Sequence, residues 1–240
     1  MKQKSVNLNL VKSKFLIIIL LLAIFSNIVF GFQLALDVGH TNLRSGAKSC
    51  TGKTEYFYNT QLTDFLVGSL KKNNSIEISS NLKIKNVSFD DRYKMSYNKD
   101  LLISIHHDSV QQQFLKYNDK KFPQTNYAKG YSIFISRKNK FYEQSLLYAR
   151  KFSQSLLESG LKPSLHHNEK INGENRELLD RKLGIYIFDD LKVLKNSSSP
   201  AFLFEAGVIV NPIDERLVCS NEYKQKFLNA ILLMVGIHRI

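Results

Sequence analysis

The chain has 240 residues, 43% of them hydrophobic and 23% charged, with only 4 Pro and 11 Gly. That length and balance provide a buried core and exclude a disordered chain, a collagen-like repeat and a disulfide-dense miniprotein. The formal net charge is +13, and +9 remains once residues 1–31, with four lysines and no acid, are set aside; a partner with negative charge fits that excess.

In chain order, Lys12 and Lys14 precede the apolar run Phe15 to Phe25, which breaks at Ser26-Asn27 and closes on Ile28-Val29-Phe30-Gly31. A basic stretch, a short apolar core and a small exit residue predict an export signal cut before Phe32. The competing reading is an uncleaved anchor, because Phe15 to Phe32 approaches the ~17-residue minimum for a bilayer span. The polar break favours the signal. Both readings place residues 32–240, one domain, outside the cytoplasm, as a periplasmic or secreted protein. There Cys50 and Cys219 either pair or stand as separate thiols.

Beyond Phe32, strands alternate with helices. Gln33 to Asp37 reads as a strand, Thr54 opens a helix that stops at Lys71-Lys72-Asn73-Asn74, and weaker strands are expected at Ile76 to Ile78 and Leu82 to Ile84. An amphipathic helix follows near Phe89 to Asn98, then a buried-type strand from Leu101 to His106. Gln111 to Lys129 is polar, lysine-rich and loop-like, Tyr131 to Ser136 is a strand, and Lys140 to Gly160 is a long helix. A polar stretch from Lys162 to Asn175 leads into an expected helix through Leu178 and Ile187. Strands at Leu191 to Leu194 and Ala201 to Glu205 precede a largely helical end from Pro212 to Ile237. This order predicts a single three-layer α/β domain with a central mixed, mostly parallel sheet flanked by helices.

Four polar residues sit where apolar strands end or a helix begins: His40, Glu55, His106 and Glu205. Ligands of open α/β sheets bind outside the carboxyl ends of the strands. Two imidazoles and a carboxylate suit one zinc ion with a fourth position open, and a further carboxylate then handles the proton of a water. No compact His-Glu-x-x-His pattern is present.

Asp37-Val38-Gly39-His40, Glu55, Ser104-Ile105-His106 and Phe204-Glu205-Ala206-Gly207 with Asn211 beyond together resemble the zinc-dependent N-acetylmuramoyl-L-alanine amidases of the amidase-3 type. The resemblance runs from about Leu34 to the final helix. It implies His40, Glu55 and His106 as ligands of one zinc, Glu205 as catalytic acid/base, and hydrolysis of the amide joining N-acetylmuramic acid to L-alanine in peptidoglycan. Val38, Thr41-Asn42, His107-Asp108 and Val208 depart from the family pattern without touching those four side chains. Adjacent strand residues face opposite sides, so His107 is expected to support the site or touch substrate while His106 binds the metal.

Other polar groups take plainer roles. Asp37 reads as a turn or supporting residue, His166-His167 as solvated surface, Arg92 and Arg181 as family-type arginines or structural ion pairs, and the lysines from Lys116 to Lys140 as a solvated face that also suits a peripheral membrane contact. The alternatives to an amidase are a related zinc peptidase acting on cell-wall peptides, for which His107 and the 111–129 insertion are the reason, and a muropeptide-binding protein with a degenerate site. A nucleic-acid partner is set aside for lack of a recognition motif. The chain is expected to act as a monomer, with an activator protein as a further possible partner.

Overall fold

The computed structural model describes residues 31–236; the expected export signal therefore lies outside the described residues, apart from Gly31. Strand β1 (Phe32–Val38) leads through an irregular loop into α1 (Glu55–Leu70), then β2 (Ile76–Ser80), the short α2 (Phe89–Lys94) and β3 (Leu101–Asp108). The insertion carries a 3-10 turn (Gln112–Phe114) and a two-residue ribbon, β4 (Lys116–Tyr117) with β5 (Pro123–Gln124). Next come β6 (Ser132–Ile135), α3 (Tyr142–Glu158), a 3-10 turn at His166–Asn168, β7 (Glu177–Asp180), β8 (Ile185–Ile187), α4 (Lys192–Lys195), β9 (Ala201–Val208), α5 (Pro212–Cys219) and α6 (Asn221–Met234).

The main sheet has seven strands in the order β2-β1-β3-β9-β6-β8-β7. β2, β1, β3 and β9 run parallel, β6 turns antiparallel to β9, β8 runs parallel to β6, and β7 is antiparallel to β8. The expected mixed, mostly parallel three-layer architecture is what forms. One face of the sheet gives Leu34, Leu36, Leu101, Ile103, Ile105, Phe202 and Phe204 to a core closed by α1, α3 and α6. The other face gives Ala35, Leu102, Phe134, Tyr186 and Leu203 to a smaller core closed by α2 and α4. Strand alternation divides these sets, so the chain's continuous apolar strands are those of a sheet covered on both sides.

Three expected elements differ. Leu82 to Ile84 forms a turn, with Leu82 N–H donating to Ser80 Oγ (3.1 Å) and Ile84 N–H to Asn81 O (2.9 Å); the Asn81 side chain is drawn under β1, which ends β2 there. The helix expected through Leu178 and Ile187 is instead the β7–β8 hairpin. Asp180 Oδ1 accepts from Leu183 N–H (3.0 Å), and Gly184 takes φ 64°, which few residues besides glycine adopt readily. Leu191 to Leu194 belongs to the one-turn α4, whose Val193 and Leu194 are buried against the second face. Four residues are too few for periodicity to separate a strand from a turn of helix.

Candidate active site

β1 ends on a strained turn. His40 takes φ 64°, a left-handed conformation unusual outside glycine, and Arg92 holds it there. The buried guanidinium donates from Nη1 to Val38 O and from Nη2 to His40 O, and pairs with Asp37 at 3.0 Å. Asp37 also accepts from Asn81 Nδ2 (2.6 Å) and Ser104 Oγ (2.7 Å), and Asn81 Oδ1 accepts from Val38 N–H (2.7 Å). A fully buried carboxylate is costly unless it is paired and hydrogen-bonded, and Asp37 has both. Asp37 and Arg92 are thus the structural support of the His40 turn.

Glu55 is the first residue of α1, behind the N-cap Thr54, whose side chain accepts from Phe57 N–H. A helix N-terminus favours a carboxylate. Its two oxygens face two imidazoles: Oε2 lies 2.9 Å from His40 Nε2 and Oε1 lies 2.9 Å from His106 Nδ1. Burial opposes its charge, yet the bonds from His106 and His40 hold its carboxyl well below the usual carboxylate range. Gly39 leaves the room this needs, because a Cβ there would overlap the His106 imidazole. The three donor atoms converge as a cation site would require.

His106 and Glu205 are register partners on adjacent β3 and β9, so both side chains leave the same face at the carboxyl ends of the strands. Glu205 Oε2 is sealed from solvent with no hydrogen-bond partner among the described residues. Burial first, then the nearby Asp108 and Glu55 carboxylates, push Glu205 well above its ordinary value. His40, Glu55, His106 and Glu205, expected together from sequence, all line one cavity of about 310 Å³. A second hollow of about 790 Å³, walled by Leu43, Val87, Phe89 and Val193, adjoins it and shares His40 and His106.

His107 faces the opposite way from His106, as strand alternation requires. Burial pushes it down to about 3, so it is a neutral ring whose Nδ1–H donates to Asn59 Oδ1 (2.8 Å). Asn59 in turn donates to Gly39 O (3.0 Å), tying the His107 ring to the His40 turn. Cys50 and Cys219 are separate thiols: Cys219 is exposed, whereas Cys50 is buried and donates to Glu215 Oε2. Asn211 caps α5 and donates to Ala128 O (2.9 Å), pinning the end of the insertion. Of the insertion, Gln111 lines the cavity. Lys116, Lys120, Lys121, Lys129, Lys138 and Lys140 are exposed, as is Arg181.

The expectation of solvated surface fails for His166 and His167. Their exposures are only 5% and 9%. The polar loop folds inward through Arg176 N–H to His167 O (2.6 Å), and ring nitrogens find buried partners in Ser164, Asp108 and Glu174. Sequence offered one signal for this, the carboxylate Asp108 two residues beyond His106 on the same face of β3.

Solved structures place this fold among known ones. The N-acetylmuramoyl-L-alanine amidase of Clostridium difficile 630 superposes with a TM-score of 0.65 at 20% identity, covering 85% of this chain and 95% of that one. The amidase Ami1 of Mycobacterium smegmatis gives 0.66 at 20% identity over 87% and 96%. The CwlD amidase of Clostridioides difficile, solved in complex with the GerS lipoprotein, gives 0.58 at 18% identity over 85% and 96%. No curated protein sequence matches the chain. The model of the amidase-3 family, N-acetylmuramoyl-L-alanine amidase, matches residues 34–236. The chain therefore belongs to the N-acetylmuramoyl-L-alanine amidase family, enzymes that hydrolyse an amide of peptidoglycan.

Proposed function

We propose that this enzyme is a zinc-dependent amidase that cuts between N-acetylmuramic acid and L-alanine, with His40, Glu55 and His106 as the metal ligands and Glu205 as the general acid/base. The donor set fits the metal: two imidazole nitrogens and a carboxylate oxygen turned toward one another are a catalytic zinc set with a position left open. When bound, zinc supplies Lewis acidity, polarising a carbonyl oxygen and making water a competent nucleophile at neutral pH.

The rest is done by the chain's own groups. The Arg92–Asp37 pair fixes the His40 turn, and α1 presents Glu55 between the two rings. Glu205 accepts the proton of the attacking water at its unpartnered Oε2 and passes it to the departing nitrogen of L-alanine. Its raised proton affinity suits that task, because an amine leaves poorly unless protonated. The observation that carries the reading is this partnerless, sealed carboxylate oxygen beside the imidazole–carboxylate cluster.

Export fits a peptidoglycan substrate. The segment before Phe32 has the order of a secretory signal, and among the described residues no helix is long and apolar enough to cross a membrane. An activator protein is part of the proposal, in keeping with the lipoprotein bound to CwlD. The test is mass spectrometry of peptidoglycan digested by the zinc-loaded protein beside Glu205→Gln. We expect stem peptides with a free L-alanine amine, formed about 10²–10⁴-fold more slowly by the variant, the usual span for loss of a general acid/base. Cleavage at another bond, or an unchanged rate in the variant, overturns the assignment.

A further inference from the structure

A second group, Asp108 with His166 and His167, has the form of the first. Asp108 Oδ2 lies 2.8 Å from His167 Nε2 and 3.5 Å from His166 Nε2. Both Nε2 atoms thus face the same carboxylate oxygen, and the two rings lie with centroids 3.9 Å apart and planes 37° from parallel. All three residues are more than nine-tenths buried.

Two features go beyond a buried ion pair. His166 Nε2 has no hydrogen-bond partner among the described residues, although it is sealed from water. A buried imidazole nitrogen left without a partner is costly. The outward nitrogens, in contrast, are both occupied: His166 Nδ1 lies 2.9 Å from Ser164 Oγ, and His167 Nδ1 lies 2.8 Å from Glu174 Oε2. Metal-binding histidines are held in this way, one nitrogen fixed by a hydroxyl, carboxylate or carbonyl and the other turned to the ion. Gln111 Nε2 steadies Glu174 through Oε1 at 3.1 Å.

We propose that Asp108, His166 and His167 form a second divalent-cation site, whose Asp108 and His167 line the same cavity as the first site and Glu205. Two imidazoles and one carboxylate favour zinc and its borderline neighbours such as cobalt over calcium or magnesium, which prefer all-oxygen shells. The ion occupies the lone nitrogen of His166 and offsets the buried charges of Asp108 and Glu174. Glu174 and Ser164 act as positioning residues, through the two rings.

The site is distinguishable from the first by stoichiometry. We expect the full chain, stripped and titrated with Zn²⁺, to bind two equivalents by elemental analysis, and Glu55→Gln and His166→Gln each to bind one. With Co²⁺ the second equivalent adds a visible d–d band that is absent in His166→Gln and retained in Glu55→Gln. Glu174→Gln should weaken only this equivalent by about 10–100-fold, as loss of an outer partner does. One equivalent in the wild type, or two in His166→Gln, overturns the proposal whether or not the amidase assignment stands. Anomalous scattering at the zinc edge in wild-type crystals decides the matter without any variant: density among Asp108, His166 and His167 supports the site, and its absence at saturating zinc overturns it.

Discussion

The two imidazole–carboxylate walls carry the same chemistry, imidazoles turned toward a carboxylate, but the protein holds them by different means. The His40–Glu55–His106 wall rests on the ends of two parallel strands and the first residue of a sixteen-residue helix. Behind it, Asp37, Arg92, Asn81 and Ser104 form a buried network in which the carboxylate meets three donors. The His166–His167 wall lies on a one-turn 3-10 segment, closed by Arg176 N–H to His167 O and Asn168 Nδ2 to Arg176 O (3.0 Å). Precision is inherited from the sheet on one side and assembled from a few loop contacts on the other. Perturbations of the first wall should therefore reach global stability, and those of the second should stay local.

The largest effect is expected at Arg92. Arg92→Met leaves Asp37 buried without its ion pair and frees the carbonyl of the strained His40, which should cost about 3–5 kcal/mol. Urea unfolding measures it, and a loss below about 1 kcal/mol would mean that the network is not what holds this wall. Glu215 ties the loop ahead of α1 to the helix that carries Glu55, through Thr51 (2.5 Å), Cys50 and Tyr58. Burial opposes its charge, but these donors lower its carboxyl from the ordinary 4.5. Its contribution is then present above that unfolded value and lost as pH falls through the lower folded one. Glu215→Gln should cost about 1.5–3 kcal/mol at pH 7, and the gap from wild type should shrink on acidification. A gap that widens toward low pH contradicts the sign.

Gly39→Ala comes next. Its Cβ meets the His106 ring, and overpacking of this kind costs about 1–3 kcal/mol. The ring must shift, so metal affinity at the proposed first site should fall while the proposed second site keeps its own. Parallel weakening of both, read by metal titration, would mean that the walls are coupled.

The same contrast explains what was legible in the sequence. His40, His106 and Glu205 stood at the ends of apolar strands and Glu55 behind a capping threonine, so local pattern marked them as candidates and the family resemblance supplied their roles. The parallel core was legible for the same reason. The strands β7 and β8 and the helix α4 are each three or four residues long, too short for a period to show. His166 and His167 sit among polar residues, and their burial depends on Asp108 and Glu174 arriving from 58 and 7 residues away. No window of local sequence contains that meeting. Arg92 is an intermediate case: its side chain reaches a turn 52 residues back along the chain, so sequence left its role open between ion pair and site.

The smallest expected effect is the sharpest test of independence. The Arg176 guanidinium lies 3.9 Å from the centre of the Phe188 ring, and this stack is a side-chain contact laid over the loop's backbone hydrogen bonds. Arg176→Ala removes it together with the long Nη2 hydrogen bond to Gly173 O (3.4 Å), worth about 0.5–1 kcal/mol at a partly exposed position, and leaves the backbone donor to His167 O in place. Amide hydrogen exchange at residue 176 should then quicken by about 2–5-fold, the rate equivalent of that energy. The amide of Leu102, which donates to Pro200 O inside the sheet, should not change. If both amides quicken together, the loop opens only when the sheet does, and the second wall is as rigidly held as the first.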